Sequence, residues 1–252
     1  MFVGMIQSNY LPWRGYFDFI ASVDCFVLYD DVAIGMGRTW RNRNRIKTMR
    51  GLQWLTVPIR HDAPGTRICD VRICYQSDWI ARHCGQLTAA YRPAPYFKVY
   101  FSKFRDVVNR RHLKLSTLNE DLIRWVMDEL GIGTTIVSAE RLNQPAERRE
   151  LRPLHILKRL EATAYLTGPN TLPYTSCCAY MEHGIRLRVK DYTYAAYRQL
   201  GDRFEGAVTI LDLLFNMGPE ARHHFRAHKA NLPPPCPRAI CDRTIADGEK
   251  QQ

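Results

Sequence analysis

Three apolar blocks crowd the start of this chain. Phe2 to Ile6 is a short apolar run of strand length, and Cys25 to Tyr29 is a second. Between them, Tyr16, Phe17, Phe19, Ile20 and Val23 recur at the spacing of one helix face. Strand, helix and strand in so short a stretch make a βαβ unit. Its two strands must run parallel, because the helix carries the chain back to the end where the first strand began. A parallel pair needs both faces covered, which points to an α/β fold with a mostly parallel, Rossmann-like sheet flanked by helices.

The rest of the chain extends that pattern. Gln53 to Ile59 reads as a strand, and Ile68 to Ile73 as a continuation of the sheet or a hairpin with its neighbour. Residues 77–91, 96–111 and 116–130 read as helices, broken at Pro93 and Pro95 and closed by Gly131. They form a helical elaboration and a candidate lobe. Strands are expected at 134–137, 164–166 and 185–189, and helices at 151–160 and 208–216, with one more reaching about Lys229. Residues 1–230 read as a single α/β domain. The tail 231–252 opens with Asn231-Leu-Pro-Pro-Pro and is expected to be extended or disordered.

Composition limits the function classes. At 252 residues the chain can bury a large core without disulfides or a structural metal. Its net charge of +11 favours an acidic partner such as a nucleotide, RNA or an anionic surface. The eight cysteines include no C-x-x-C pair, and adjacent Cys177 and Cys178 cannot easily bridge each other, so a reduced, cytoplasmic setting is expected. The N-terminus lacks the basic and apolar regions of a signal peptide, and no apolar run has transmembrane length. His223, His224 and His228 lack a further ligand at sensible spacing, so no metal site is expected. No cofactor is specified by any motif.

Chemistry concentrates in three places. The first loop, Gln7-Ser-Asn-Tyr-Leu-Pro-Trp-Arg-Gly-Tyr16, joins a strand to a helix, where open α/β folds bind ligands. Gly15 lets a ligand approach the backbone closely. Asp30 and Asp31 end the next strand at the same edge of the sheet; they either bind a ligand or cap a turn. In Trp40-Arg-Asn-Arg-Asn-Arg-Ile-Lys47 the cations fall at every second position, so an extended strand would point all four one way. Such a row is either a charged, aggregation-resistant edge or a site for phosphate or carboxylate. Tyr192, Tyr194, Tyr197 and Gln199 form an aromatic stretch suited to stacking on rings or packing on the core. Asp212 and Asn216 share one face of an apolar helix and need partners there.

The layout loosely resembles nucleotidyltransferases with an H-x-G-H motif, but Trp13-Arg-Gly-Tyr16 stands in its place and both histidines are missing. A longer pattern is similar to the WbqC-like family. It comprises Gln7-x-Asn-Tyr-Leu-Pro-Trp-x-Gly-Tyr-Phe-Asp18, Phe26-Val-Leu-Tyr-Asp-Asp-Val32, the 40–47 row, Pro95-Tyr-Phe97, Tyr197-x-Gln199, Phe204 and Ile210 to Asn216. Ser8, Ala33 to Gly37 and Arg198 depart from the usual family residues.

The resemblance implies a role in surface-polysaccharide (O-antigen) biosynthesis. It implies a transferase moving an aminoacyl group, glycyl among them, or an acyl group onto an amino sugar. The donor would be nucleotide-, adenylate- or tRNA-linked. On that reading Asp30 or Asp31 serves as base and Asn9, Gln7 or Asn44 donates to the oxyanion. Arg41, Arg43 and Lys47 hold phosphates. Tyr10, Trp13, Gly15, Tyr16, Trp40, Asn42, Tyr197, Gln199, Asp212 and Asn216 complete the candidate binding set. Two alternatives stay open: a nucleotide-binding transferase or ligase acting on an activated sugar or adenylate, and a non-catalytic anion- or RNA-binding module.

Overall fold

The structure, a computed structural model, describes residues 1–227 apart from 36, 38, 61, 62, 64, 143–150, 170 and 172–176. Five strands form one sheet: β1 (Phe2–Ile6), β2 (Cys25–Leu28), β5 (Thr135–Ser138), β6 (Ala164–Thr167) and β7 (Arg186–Val189). Their order is β5-β2-β1-β6-β7, and every pairing is parallel. The chain therefore winds outward from β1 through β2 to β5, then crosses back to β6 and on to β7. The order reverses between β1 and β6, the topological switch point at which open α/β sheets leave a crevice beyond their strand ends.

Alternate residues of the strands feed two cores. Phe26, Leu28, Ile136 and Leu166 pack with α1 (Arg14–Ile20), α2 (Trp79–Tyr91), α3 (Phe97–Val108), α4 (Leu115–Leu130) and α7 (Ile210–Met217). Val3, Met5, Cys25, Val27, Tyr165 and Leu187 pack with α5 (Arg152–Arg159) and α6 (Cys177–Glu182). Each fully buried large side chain contributes about 1.5–3 kcal/mol. Gly4 allows α1 to sit close on β1, since a Cβ there would lie 2.6 Å from Cε1 of Phe19. The helices at 79–130 share the first core with α1 and the sheet. Asp78 caps α2 by accepting from the Ala81 amide, and Gly131, at φ +68°, ends α4 in the left-handed conformation.

The connection from β2 to β5 departs from the expectation. It carries an antiparallel hairpin, β3 (Arg43–Thr48) and β4 (Gly51–Thr56), which stands apart from the main sheet. Ile68 to Ile73 adds no strand to either sheet. Residues Ile68–Asp70 make a single 3-10 turn, held because the amides of Ile68 and Cys69 donate to Val32 and Asp30. Only isolated bridges flank it. The last helix is also shorter than expected. α8 (Ala221–His224) gives way at Phe225, and the Ala227 amide turns aside to Asp18 Oδ2 at 3.2 Å. The expected tail at 231–252 lies outside the described residues.

Candidate functional site

The loop after β1 lies at the carboxyl end of the sheet and is held from three sides. The Ser8 amide donates to Asp30 Oδ1 at 2.8 Å, tying the first loop to the end of β2. The Tyr10 amide donates to the Trp40 carbonyl at 3.1 Å. Asn44 Nδ2 donates to the carbonyls of Tyr10 and Leu11 at 3.3 and 2.8 Å, while its Oδ1 accepts from the Arg45 amide at 2.8 Å. Asn44 thus clamps the hairpin to the loop where Leu11 is bent to φ +44°, a conformation that costs a leucine on the order of 1–3 kcal/mol. Tyr10 is fully buried beneath this loop, with its hydroxyl 3.0 Å from His83 Nδ1. Burial pushes His83 down to about 4. The imidazole is therefore neutral, accepting from Tyr10 and donating through Nε2 to the Thr56 carbonyl.

Arg41 lies in the turn before β3, and its guanidinium reaches back over the first loop. It donates to Asn9 Oδ1 at 2.6 Å and to Gln7 Oε1 at 3.0 Å. Burial lowers its pKa, opposed by Tyr16 and Asp30 nearby. Tyr16, itself buried, donates to the Gln7 carbonyl at 3.1 Å. Asn119 on α4 donates to Ser8 Oγ and to the Arg41 carbonyl. Burial raises the pKa of Asp30, while hydrogen bonds from Ser8 and the charge of Arg41 pull it back. Asp31 is also buried; its Oδ2 lies 3.3 Å from Arg152 of α5, and its Oδ1 has no partner among the described residues.

The row at 41–47 does not act as one surface. Arg41 precedes the strand, so it escapes the alternation that governs the others. Arg43 stacks on Trp54 of β4, with Cζ 3.5 Å from the ring centroid. Arg45 lies beside the pair Trp40 and Trp54, whose centroids are 5.3 Å apart, with Cζ 5.5 and 5.6 Å from them. Lys47 donates to Gln199 Oε1 at 3.2 Å and to the Arg203 carbonyl. Asn42 donates to the Val57 carbonyl within the hairpin's own backbone.

A cavity of about 290 Å³ opens between the first loop and this hairpin, lined by Asn9, Pro12, Trp13, Trp40, Asn44 and Arg45, with Ala207 at its margin. Trp13 folds over Gly15: a Cβ at Gly15 would lie 2.4 Å from Trp13 Cζ2. Gly15 thus admits the indole of its own loop. Behind Trp13 runs the segment from Lys190 to Ala207. Tyr192 and Tyr194 pack on Trp13, and Tyr194 donates to Asp18 Oδ2 at 2.7 Å, beside the Lys190–Asp18 ion pair. Arg14 is enclosed by Tyr194, Tyr197 and Phe204. Asp212, wholly buried on α7, accepts from Tyr91, Tyr197, Gln199 and Asn216.

The candidate residues therefore divide by position. Gln7, Asn9, Asp30, Asp31 and Arg41 meet at the sheet edge, with Trp13, Trp40 and Asn44 lining the adjoining cavity. Tyr10, Tyr16, Tyr197, Asp212 and Asn216 are buried behind it and hold its walls. Asn42, Arg43, Lys47 and Gln199 are occupied around the hairpin. Arg45, Asn119 and Arg152 are part of the arrangement without having been singled out. Only Arg45 had a signal, its place in the alternating row; Asn119 and Arg152 come from distant helices. Among the described residues no cluster of three His, Cys, Asp or Glu side chains is placed to hold a metal, and no helix is long and apolar enough to cross a membrane.

Comparison with known proteins gives a consistent picture. The profile of the WbqC-like protein family matches residues 7–224. The chain is similar to the uncharacterized protein Rv1507c of Mycobacterium tuberculosis (strain ATCC 25618 / H37Rv), 38% identical over 226 residues, covering 89% of this chain and 97% of that protein. No solved structure matches.

Proposed function

The chain belongs to the WbqC-like protein family, and from that membership and the site's geometry we propose that it is a transferase of surface-polysaccharide biosynthesis. It carries an aminoacyl, for instance glycyl, or acyl group from an activated donor to an amino sugar. One observation carries the reading. A buried carboxylate of raised pKa, Asp30, sits one loop residue away from a cavity walled by two tryptophans. Amide formation needs that combination: a base for the attacking amine, a surface for a sugar ring, and donors for the oxygen of the attacked carbonyl. In this reading the amine attacks the activated carbonyl, the donor's leaving group departs, and Asp30 or Asp31 takes the amine proton. Gln7 and Asn9, oriented by Arg41, face the reacting carbonyl. Trp13 and Trp40 flank the ring.

The test is to incubate the full chain with nucleotide-linked amino sugars and glycine presented as an adenylate or as glycyl-tRNA, then seek a product heavier by one glycyl unit. Asp30→Ala and Asp31→Ala are assayed in parallel. Product formation that survives both substitutions removes the base assignment. A folded protein that forms no product with any donor favours a non-catalytic anion- or RNA-binding module.

The strand order supports a second reading, a nucleotide-binding transferase or ligase, because the reversal between β1 and β6 places a crevice at these same loops. Release of pyrophosphate from ATP on addition of a free carboxylic acid would favour it.

A further inference from the structure

Arg45 differs from its neighbours in the 41–47 row. Arg41 is committed to Gln7 and Asn9, and Lys47 to Gln199 and the Arg203 carbonyl. The guanidinium of Arg45 makes no hydrogen bond or ion pair with any described residue, and its Nε is buried without a partner. It lies against aromatic rings: Cζ is 5.5 Å from the centroid of Trp40 and 5.6 Å from that of Trp54. A partly desolvated guanidinium without a counter-ion is costly, and an oxyanion offsets that cost through paired, charge-assisted hydrogen bonds. Arg45 lines the cavity of about 290 Å³, in which Trp13 and Trp40 are the aromatic walls and Asn9 is a polar wall. The Asn9 carbonyl already accepts from Arg41, which leaves its amide NH₂ as the group to donate into the cavity. The volume stands at the lower end of small-molecule sites, enough for one ring and one anionic group and too small for a dinucleotide.

We infer that this cavity is a subsite for a single phosphorylated ring, with the phosphate on Arg45 and the ring against Trp40. A sugar phosphate and a nucleoside monophosphate share that chemistry. The inference rests on the transferase reading only for why such a group would be bound. Trp40 is 44% exposed, so removing its ring leaves the core intact and separates ring recognition from phosphate recognition.

The full chain is titrated with glucosamine 1-phosphate, uridine monophosphate, adenosine monophosphate, inorganic phosphate and unphosphorylated glucosamine, by calorimetry and tryptophan fluorescence. A phosphorylated ring is expected to bind and to quench fluorescence; the sugar and nucleotide arms decide which source is used. Arg45→Gln should weaken that binding by roughly tenfold or more, the usual scale for a lost hydrogen bond to a charged group. Trp40→Ala should weaken the phosphorylated rings and leave inorganic phosphate unchanged. Equal affinity for glucosamine with and without phosphate overturns the inference, as does binding indifferent to Arg45→Gln or, should that variant fail to fold, to Trp40→Ala. Binding in the expected pattern without any transfer product would sink the transferase reading and keep the subsite. Transfer that proceeds unchanged in both variants would do the reverse.

Discussion

Asn44→Ala should destabilise the protein by more than its small change in volume suggests. Asn44 is 4% exposed and makes three hydrogen bonds with backbone groups: to the Tyr10 and Leu11 carbonyls and from the Arg45 amide. Two of these are 2.8 Å long and one is 3.3 Å, so about two full-strength bonds are lost, each worth roughly 1 kcal/mol net. Carbonyls left unsatisfied in a dry site add about 1–3 kcal/mol. Relaxation of Leu11 out of its left-handed conformation returns part of this. The net loss is roughly 2–4 kcal/mol, which for a chain of this size lowers Tm by about 4–16 °C. Asn44→Asp is the sharper control. It keeps the acceptor for Arg45 and sets a carboxylate oxygen against two carbonyls, so at neutral pH it should be at least as damaging as alanine and should recover on acidification. Thermal melts of the three proteins across pH decide the matter. A Tm for Asn44→Ala within about 1 °C of the unsubstituted chain, or an aspartate less damaging than alanine at neutral pH, would refute the clamp.

Two further outcomes follow from the same edge of the sheet. Gly15→Ala places a Cβ where Trp13 Cζ2 lies 2.4 Å away, so the indole must move; we expect a loss of about 1–3 kcal/mol in a melt and weaker binding of ring ligands, with inorganic phosphate unaffected. Asp30→Asn keeps an acceptor for the Ser8 amide while removing the charge. Burial raises the Asp30 pKa above its usual 3.8, so the folded chain holds that proton more tightly than the unfolded one. Its contribution to stability is full below 3.8 and is lost as pH rises through the raised folded value. The Tm of the unsubstituted chain relative to Asp30→Asn should therefore fall as pH rises above about 4, and a difference that stays flat or rises would contradict the shift.

The parallel sheet was legible because its signal is local. Phe2 to Ile6, the helix face from Tyr16 to Val23, and Cys25 to Tyr29 each carry their own period, and their succession permits one hand and one direction. The hairpin was half legible. Gln53 to Ile59 and the alternating row both read as strands, but nothing in either says that they pair with each other and leave the main sheet. Ile68 to Ile73 has a strand's composition; its amides are taken by Asp30 and Val32, a long-range choice that composition does not record. The site was legible as a place more than as roles. Gln7, Asn9, Asp30 and Arg41 do converge. Asp212 reads in the sequence as an acid on an apolar helix in need of partners, holding the row or reaching a ligand; which donors it finds, from α2, α7 and the 197–199 segment, is set by elements widely separated in the chain. Arg45 does not stand out in the sequence, because strict alternation makes every cation in the row look equivalent. What sets it apart is which neighbours are already taken, a property of the folded chain.

The strand order has a consequence for how the protein is made. β1 leaves the ribosome before the other strands of its sheet, yet it occupies the interior, with Phe2 paired to Ala164. Between the end of β2 at Leu28 and the start of β6 at Ala164 lie about 135 residues. At roughly 5–20 residues per second, the open edge of β1 waits about 7–27 s for its second partner. During that interval an apolar strand is available to other nascent chains, and the hairpin and the helices of 79–130 emerge before anything covers it. A permuted chain that starts near Arg152 and joins the old termini would deliver β6 and β7 first, so that β1 would meet its neighbour at once. Yield of soluble protein during rapid expression, compared between the natural and permuted orders, measures what the delay costs the cell.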